Sequence, residues 1–352
     1  MNATTTHTHT HTHAHAHATT HTHTTTRTTM KAIVQQRYGS TDMLDYADIA
    51  VPTPGPNDIL VRVHAAGVDA GTWHLMTGKP YLMRLMGFGF RGPKARVRGL
   101  AFAGRVDAVG SAVTRFRPGD DVFGAAESAF AEYLVTPESN AVPMPVGLGF
   151  EKAAALPISG TTALQAVRDA AEVSPGQRVL VLGAAGGVGC FAVQLAVAAG
   201  ASVTGVCSGP KTELVRSLGA DRVIDYTSTD VTALDEKWDV IIDTAGNRSL
   251  SKLRGILTST GTLVIVGGER GGPTLGGIER VLAAGIVNAF TGQRLRGLMS
   301  KENPADQAAL ADRVDHGVLD PVIDTVYPLS DAASAISHIA AGRARGKVIL
   351  SI

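Results

Sequence analysis

The 352-residue sequence predicts an α/β protein with a β-rich N-terminal domain, a doubly wound parallel sheet and a short return segment. Three observations carry this. Residues 30–150 fall into short alternating runs broken by Gly and Pro, the spacing of a β-rich partial barrel. From residue 151 strands and helices alternate, which implies a parallel sheet covered on both faces. The first apolar strand of that part runs into Gly183, Gly186 and Gly189, three apart, ahead of an Ala-rich helix. The division expected is a tail at 1–29, a β-rich domain at 30–152, a parallel-sheet domain at 153–300 and a return to the first domain at 301–352.

In chain order, MKAIVQ (30–35) is the opening strand, and VPTPGPNDILVRVHAAGV (51–68) is a proline-rich turn followed by an alternating strand. Strands follow at 101–110, 120–125, 129–137 and 140–145. Residues 151–170 have helical composition interrupted by Pro157. Buried strands are expected at 178–183, 202–207, 222–226, 238–244 and 262–268, with helices at 187–199 and 211–219. QRLRGLMS (293–300) is a candidate sixth strand, and residues 324–352 read as strand, helix, strand. A terminal strand needs a sheet to join, so this tail is expected to return to the first domain.

Composition narrows the function classes. The net charge of +1 creates no field that would draw nucleic acid or an anionic membrane. No apolar run reaches the roughly 20 residues of a membrane span. Cys190 and Cys207 are the two cysteines, so neither a four-cysteine zinc cluster nor a disulfide framework is available. This usage fits an intracellular, cytoplasmic protein. Residues 1–29 hold eight of the twelve histidines, from His7 to His23, in a Thr-rich tract without apolar residues to fold it. The tract reads as a disordered low-complexity tail, with Met30 an alternative start; weak transition-metal binding is the other reading.

The glycine triplet is the most specific motif. Glycine lets the chain turn sharply out of the strand, lets the backbone approach a pyrophosphate, and lets the helix pack on the sheet. The helix N-terminus, at Gly186, Gly187, Val188 and Gly189, presents free N–H groups to the phosphates. The setting is that of a Rossmann domain. The second strand ends in Cys207 and Ser208, with Lys211 beyond, where an NAD site usually carries a carboxylate. A hydroxyl and an ammonium suit a 2′-phosphate, so the expected cofactor is NADPH (NADP).

Together with HAAGVDAGTWHLMTG (64–78), RPGDDVFG (117–124), AAALPISGTTALQAV (153–167), LGADRVIDY (218–226), VIIDTAG (240–246) and GKVILSI (346–352), these features resemble the medium-chain dehydrogenase/reductase superfamily. The branch resembled is that of zinc-free quinone oxidoreductases, with its reticulon-interacting-protein-like members, and the resemblance spans Met30 to Ile352. It implies a GroES-like β-rich catalytic domain around a Rossmann domain, with the cofactor between them. Zinc-dependent members carry a ligand histidine in a Gly-His-Glu triplet; here the triplet is Gly99, Leu100 and Ala101. Asp69 stands at or near the place of the first ligand cysteine. Leucine has no lone pair, so the site is expected to be metal-free.

Without a Lewis acid, hydride addition to a conjugated acceptor, a quinone or an α,β-unsaturated carbonyl, is easier than reduction of an isolated carbonyl. Acceptor-side candidates are Asp69, His74 as proton shuttle and Tyr81 as donor to the developing oxyanion. The bland reading is that His74 packs under its loop and Tyr81 is a partly exposed aromatic. The run 81–90 reads as a lid or pocket wall, or as a surface loop. The resemblance adds Thr162, Tyr226, Gly267, Gly268 and Lys347 as cofactor contacts. It also implies a homodimer, expected through an open sheet edge at TLVIVGG (262–268). Two further readings stay open: a metal-free alcohol dehydrogenase, and an NADPH-binding sensor or structural protein with little turnover.

Overall fold

The computed structural model describes residues 1, 28–82, 84, 89–266, 278–288 and 290–352. Most of the His/Thr-rich tail, half of the expected lid at 81–90, and Gly267 and Gly268 lie outside these residues.

Among the described residues, fifteen strands form three sheets. A small antiparallel pair joins β1 (Thr29–Val34) to β2 (Asp45–Ala50). The β-rich sheet contains β3 (Asp58–Val68), β4 (Ala101–Val109), β5 (Asp121–Ala125), β6 (Tyr133–Pro137) and β7 (Ala141–Pro143). The parallel sheet contains β8 (Arg178–Leu182), β9 (Ser202–Cys207), β10 (Arg222–Asp225), β11 (Trp238–Asp243), β12 (Leu257–Ile265) and β13 (Arg294–Gly297). Finally β14 (Ile323–Pro328) and β15 (Lys347–Ser351) join the β-rich sheet, β15 antiparallel to β3.

The parallel sheet has the order β10-β9-β8-β11-β12-β13, with every pairing parallel. This is the doubly wound order whose switch point lies between the first and fourth of its strands, β8 and β11. The central residues of β8, Val179 to Leu182, are fully buried, as a strand covered on both faces must be.

One expectation needs correction. TLVIVGG is not an open edge: β13, within the candidate sixth strand at 293–300, pairs along β12 from Thr262 to Ile265 and takes the outer position. Residues 151–170 are interrupted near Pro157, as expected. The helix Phe150–Ala154 gives way to wide π turns at Leu156–Gly160 and Ala166–Ala170 around the α turn Thr161–Gln165. Pro157 donates no backbone hydrogen bond, which accounts for the first departure.

The two large sheets share a core. One apolar cluster runs from Ala65, Ala103, Phe123 and Ile349 of the β-rich sheet to Val179, Val181, Phe191 and Val240 of the parallel domain. The C-terminal strand belongs to the buried part: Val348, Ile349 and Leu350 have no exposed surface. Leu350→Ala should therefore cost about 2–5 kcal/mol in urea unfolding. A loss below about 0.5 kcal/mol, the level of a surface change, would mean that this strand is peripheral to the core.

Candidate active site

The cradle is built by steric necessity. Gly183 leaves β8 with φ +78°, and a Cβ there would lie 2.5 Å from Thr244 Oγ1. At Gly189 a Cβ would lie 2.1 Å from the Gly183 carbonyl oxygen, so only glycine lets the helix Gly187–Ala198 pack against the turn. Gly186 caps that helix in extended conformation, and Gly186, Gly187 and Val188 are half-buried. The first N–H groups of a helix have no intrahelical partner, and the dipole favours an anion there. These residues therefore fit a dinucleotide pyrophosphate. Cys190, in the next turn, has its thiol pushed up to about 12 by burial, so it is no nucleophile at neutral pH.

At the end of β9, Ser208 caps a short 3₁₀ turn, and Lys211 closes it by donating its backbone N–H to the Ser208 carbonyl. Lys211 Nζ donates to the Ala344 carbonyl at 2.8 Å. Burial draws this ammonium below its ordinary pKa, Asp324 opposes that shift, and Arg345 adds to it. A carboxylate does stand nearby: Asp225, at the end of β10, accepts from the Gly209 backbone and from Thr227 and is held below the usual range. Reading β9 alone could not show this, because the residue arrives from the neighbouring strand. Tyr226 is about half exposed and bonds back to Cys207 through its backbone. Thr162 Oγ1 donates to the Ile158 carbonyl at 2.8 Å and lies 2.9 Å from Ser300 Oγ.

Beneath the helix N-terminus sits a buried polar cluster. Asp69 ends β3 and caps the helix Ala70–Thr77. Its Oδ1 accepts from Ser159 Oγ at 2.7 Å and pairs with Lys347 Nζ. Lys347 also reaches Ser159 Oγ at 3.1 Å and the Val68 carbonyl at 3.3 Å. Lys347 is 2% exposed and Asp69 6%. A Cβ on Gly187 would lie 3.2 Å from Lys347 Cδ and 3.3 Å from Ser159 Oγ, so the cluster touches the cradle from behind. Lys347, expected from sequence to reach the phosphates, has its ammonium paired with Asp69 directly behind the cradle. Asp69 Oδ2 is buried without a partner among the described residues.

The other acceptor-side candidates are placed differently. His74 Nδ1 lies 2.9 Å from the Lys79 carbonyl, and Tyr81 is 45% exposed with the Arg84 guanidinium 4.9 Å from its ring centroid. Neither hydrogen-bonds to Asp69 among the described residues. Ser159 and Glu302 are titratable or polar groups that the sequence reading missed. Glu302 is pushed up by burial and by the charge of Asp69. No local motif signals either, because both meet Asp69 only through the fold. Among the described residues no group of three His, Cys, Asp or Glu could hold a metal ion, and no helix is long and apolar enough to cross a membrane.

Comparison with known proteins agrees with this geometry. Residues 55–146 match the family described as alcohol dehydrogenase GroES-like domain, and residues 218–350 match zinc-binding dehydrogenase. A quinone oxidoreductase of Sus scrofa is 32% identical, with 91% of this chain and 97% of the relative covered. The mitochondrial NAD(P)H oxidoreductase RTN4IP1 of Mus musculus is 30% identical, with coverage of 92% and 90%. The quinone oxidoreductase structure from Coxiella burnetii superposes with a TM-score of 0.80 at 28% identity, covering 92% of this chain and 99% of that one.

The buried pair predicts a coupled energetic signature. Asp69→Asn strands the Lys347 ammonium without its anion, which costs about 3–5 kcal/mol. Adding Lys347→Met should recover much of that loss. Urea unfolding of both single variants and the double variant measures the coupling, and purely additive losses would show that the two groups act independently.

Proposed function

Because the chain belongs to the medium-chain dehydrogenase/reductase superfamily, in its quinone-oxidoreductase-like branch, we propose that this oxidoreductase uses NADPH, without zinc, to reduce a quinone or an α,β-unsaturated carbonyl. The observation that carries the metal-free reading is the donor set at the junction. Leu100 offers no lone pair, and the Asp69 carboxylate is already engaged by Lys347. A catalytic zinc takes about three protein ligands, so these residues do not fit one.

A reduced nicotinamide, when bound, supplies a hydride. The chain's own part is to bind, orient and balance charge. The turn Gly183–Gly189 and the helix behind it hold the pyrophosphate. Gly267 and Gly268 remain proposed cofactor contacts. Ser208 and Lys211 are assigned to the 2′-phosphate, with exposed Arg345 close enough to Lys211 to depress its pKa. Asp225 works against that assignment electrostatically, but its oxygens are occupied by Gly209 and Thr227. Asp69 is a positioning residue that fixes the junction through Ser159 and Lys347. His74, on the helix Ala70–Thr77, and Tyr81 remain the proposed proton donors.

A homodimer is part of this reading, through the outer strand β13. The exposed Leu282, Ile286, Phe290 and Met299 on neighbouring segments give a second copy apolar surface to cover. A cytoplasmic location fits two free, buried cysteines.

Two measurements test the proposal. Lys211→Ala should weaken NADPH by about 10-fold, the low end for a charge-assisted contact because the site is partly open, and leave NADH nearly unchanged. Since burial lowers the Lys211 pKa, the preference for NADPH should decline as pH rises, beginning below the ordinary lysine range. Equal weakening of both cofactors would place the phosphate elsewhere. Protein lacking residues 1–29 should contain no stoichiometric zinc by elemental analysis. One zinc per chain, with activity lost on chelation, would contradict the metal-free reading.

A further inference from the structure

Beside the Asp69 cluster lies a pocket of about 170 Å³. Its wall includes Leu75, Val97 and Leu100, and its polar lining includes Thr72, Arg98 and Glu127. It adjoins the active site by construction. Thr72 sits in the first turn of the helix that Asp69 caps, and a Cβ on Gly71 would lie 3.9 Å from Leu100 Cδ1. Whole small-molecule sites run to roughly 300–1,000 Å³, so this pocket takes one end of a substrate.

Its polar groups are unfinished. Arg98 is 5% exposed, and its guanidinium forms no ion pair of 4 Å or less with a carboxylate among the described residues. Nη2 is bonded to the Ala95 carbonyl, and Nη1 lies 3.4 Å from the Leu75 carbonyl, but buried Nε has no partner among the described residues. Thr72 is 2% exposed, and its hydroxyl is likewise buried without a partner among the described residues. A buried cation facing only carbonyl dipoles is costly unless an anion reaches it. Burial pulls the Arg98 pKa down, while the charge of Glu127, at the exposed side of the pocket, opposes that shift. Lys94 on the rim adds a second positive charge.

We propose that this pocket is a subsite for a carboxylate on the substrate, bound by the Arg98 guanidinium with the Thr72 side chain beside it, against the apolar wall around Leu100. The preferred acceptors are then conjugated carbonyl compounds that carry an acid group at one end. The carbon skeleton lies along Leu75, Val97 and Leu100, and Glu127 limits affinity by repulsion. The inference rests on the oxidoreductase reading above for its substrate class, and on the pocket alone for its ligand chemistry.

The test uses the full chain, with benzoate and benzamide as an anionic and neutral pair of one shape. Calorimetry should show benzoate binding at least about 10-fold more tightly than benzamide, and benzoate should inhibit competitively against a quinone. Thr72→Val should weaken benzoate by about 10-fold. Glu127→Gln, at an exposed position, should tighten it by about 2- to 5-fold. Arg98→Lys keeps the charge but loses the guanidinium donors, and should weaken benzoate too. Arg98 also ties its loop to a helix, so if that variant does not fold the other two decide. Equal binding of the two probes, or no binding, or a weaker benzoate complex in Glu127→Gln, overturns the subsite. Reduction of quinones without any preference for benzoate overturns the subsite alone. Benzoate binding by a protein that reduces neither quinones nor enones overturns the functional reading and leaves the subsite standing.

Discussion

The pairing of Asp69 with Lys347, completed by Ser159, is the constraint on which the rest of the site depends. It draws together three distant parts of the chain. Asp69 ends the long strand of the β-rich sheet, Ser159 lies in the π-turn segment that leads into the Rossmann domain, and Lys347 begins the last strand. All three meet behind Gly187, in the first turn of the cradle helix. A buried ion pair adds little net stability compared with a well-packed apolar core, but losing one partner is expensive. Its contribution is therefore to orientation. The helix N-terminus and the end of β3 cannot shift relative to one another without exposing a charge to an apolar interior.

That constraint supports the proposed hydride transfer to a conjugated acceptor. Leu100 has no lone pair to offer a metal, and Asp69 is paired with a lysine. In the proposed reading the junction is balanced in charge without a metal. Asp69 Oδ2, buried without a partner among the described residues, is an acceptor, and Glu302 nearby is pushed toward its neutral form by burial, with a smaller push from the Asp69 charge. Polar recognition then moves to the neighbouring pocket, where Arg98 and Thr72 lie beside the apolar surface that Leu100 helps to form.

Much of this architecture was legible in the sequence, for identifiable reasons. Strands such as RVLVL and WDVIID are buried on both faces, so their continuous apolar runs stand out, and the glycines at 183 and 189 are dictated by turn and packing geometry. What escaped has an equally physical cause. β2 (DYADIA) is largely exposed, so no apolar run marks it, and the position of the candidate sixth strand outside β12 follows from sheet order, which no local pattern gives. The partnership of Asp69 with Lys347 spans 278 positions, and Asp225 approaches Gly209 from the next strand. Such contacts follow from sheet order and leave no local pattern.

The most direct test of the account follows the transferred atom. The protein would be incubated, with a chelator present, with an α,β-unsaturated ketone and NADPH deuterated at C4 of the nicotinamide, and the product examined by NMR and mass spectrometry. Metal-free conjugate reduction predicts a saturated ketone with deuterium on the former β-carbon. Deuterium on the carbonyl carbon, in an allylic alcohol, would identify an alcohol dehydrogenase reaction and contradict the account.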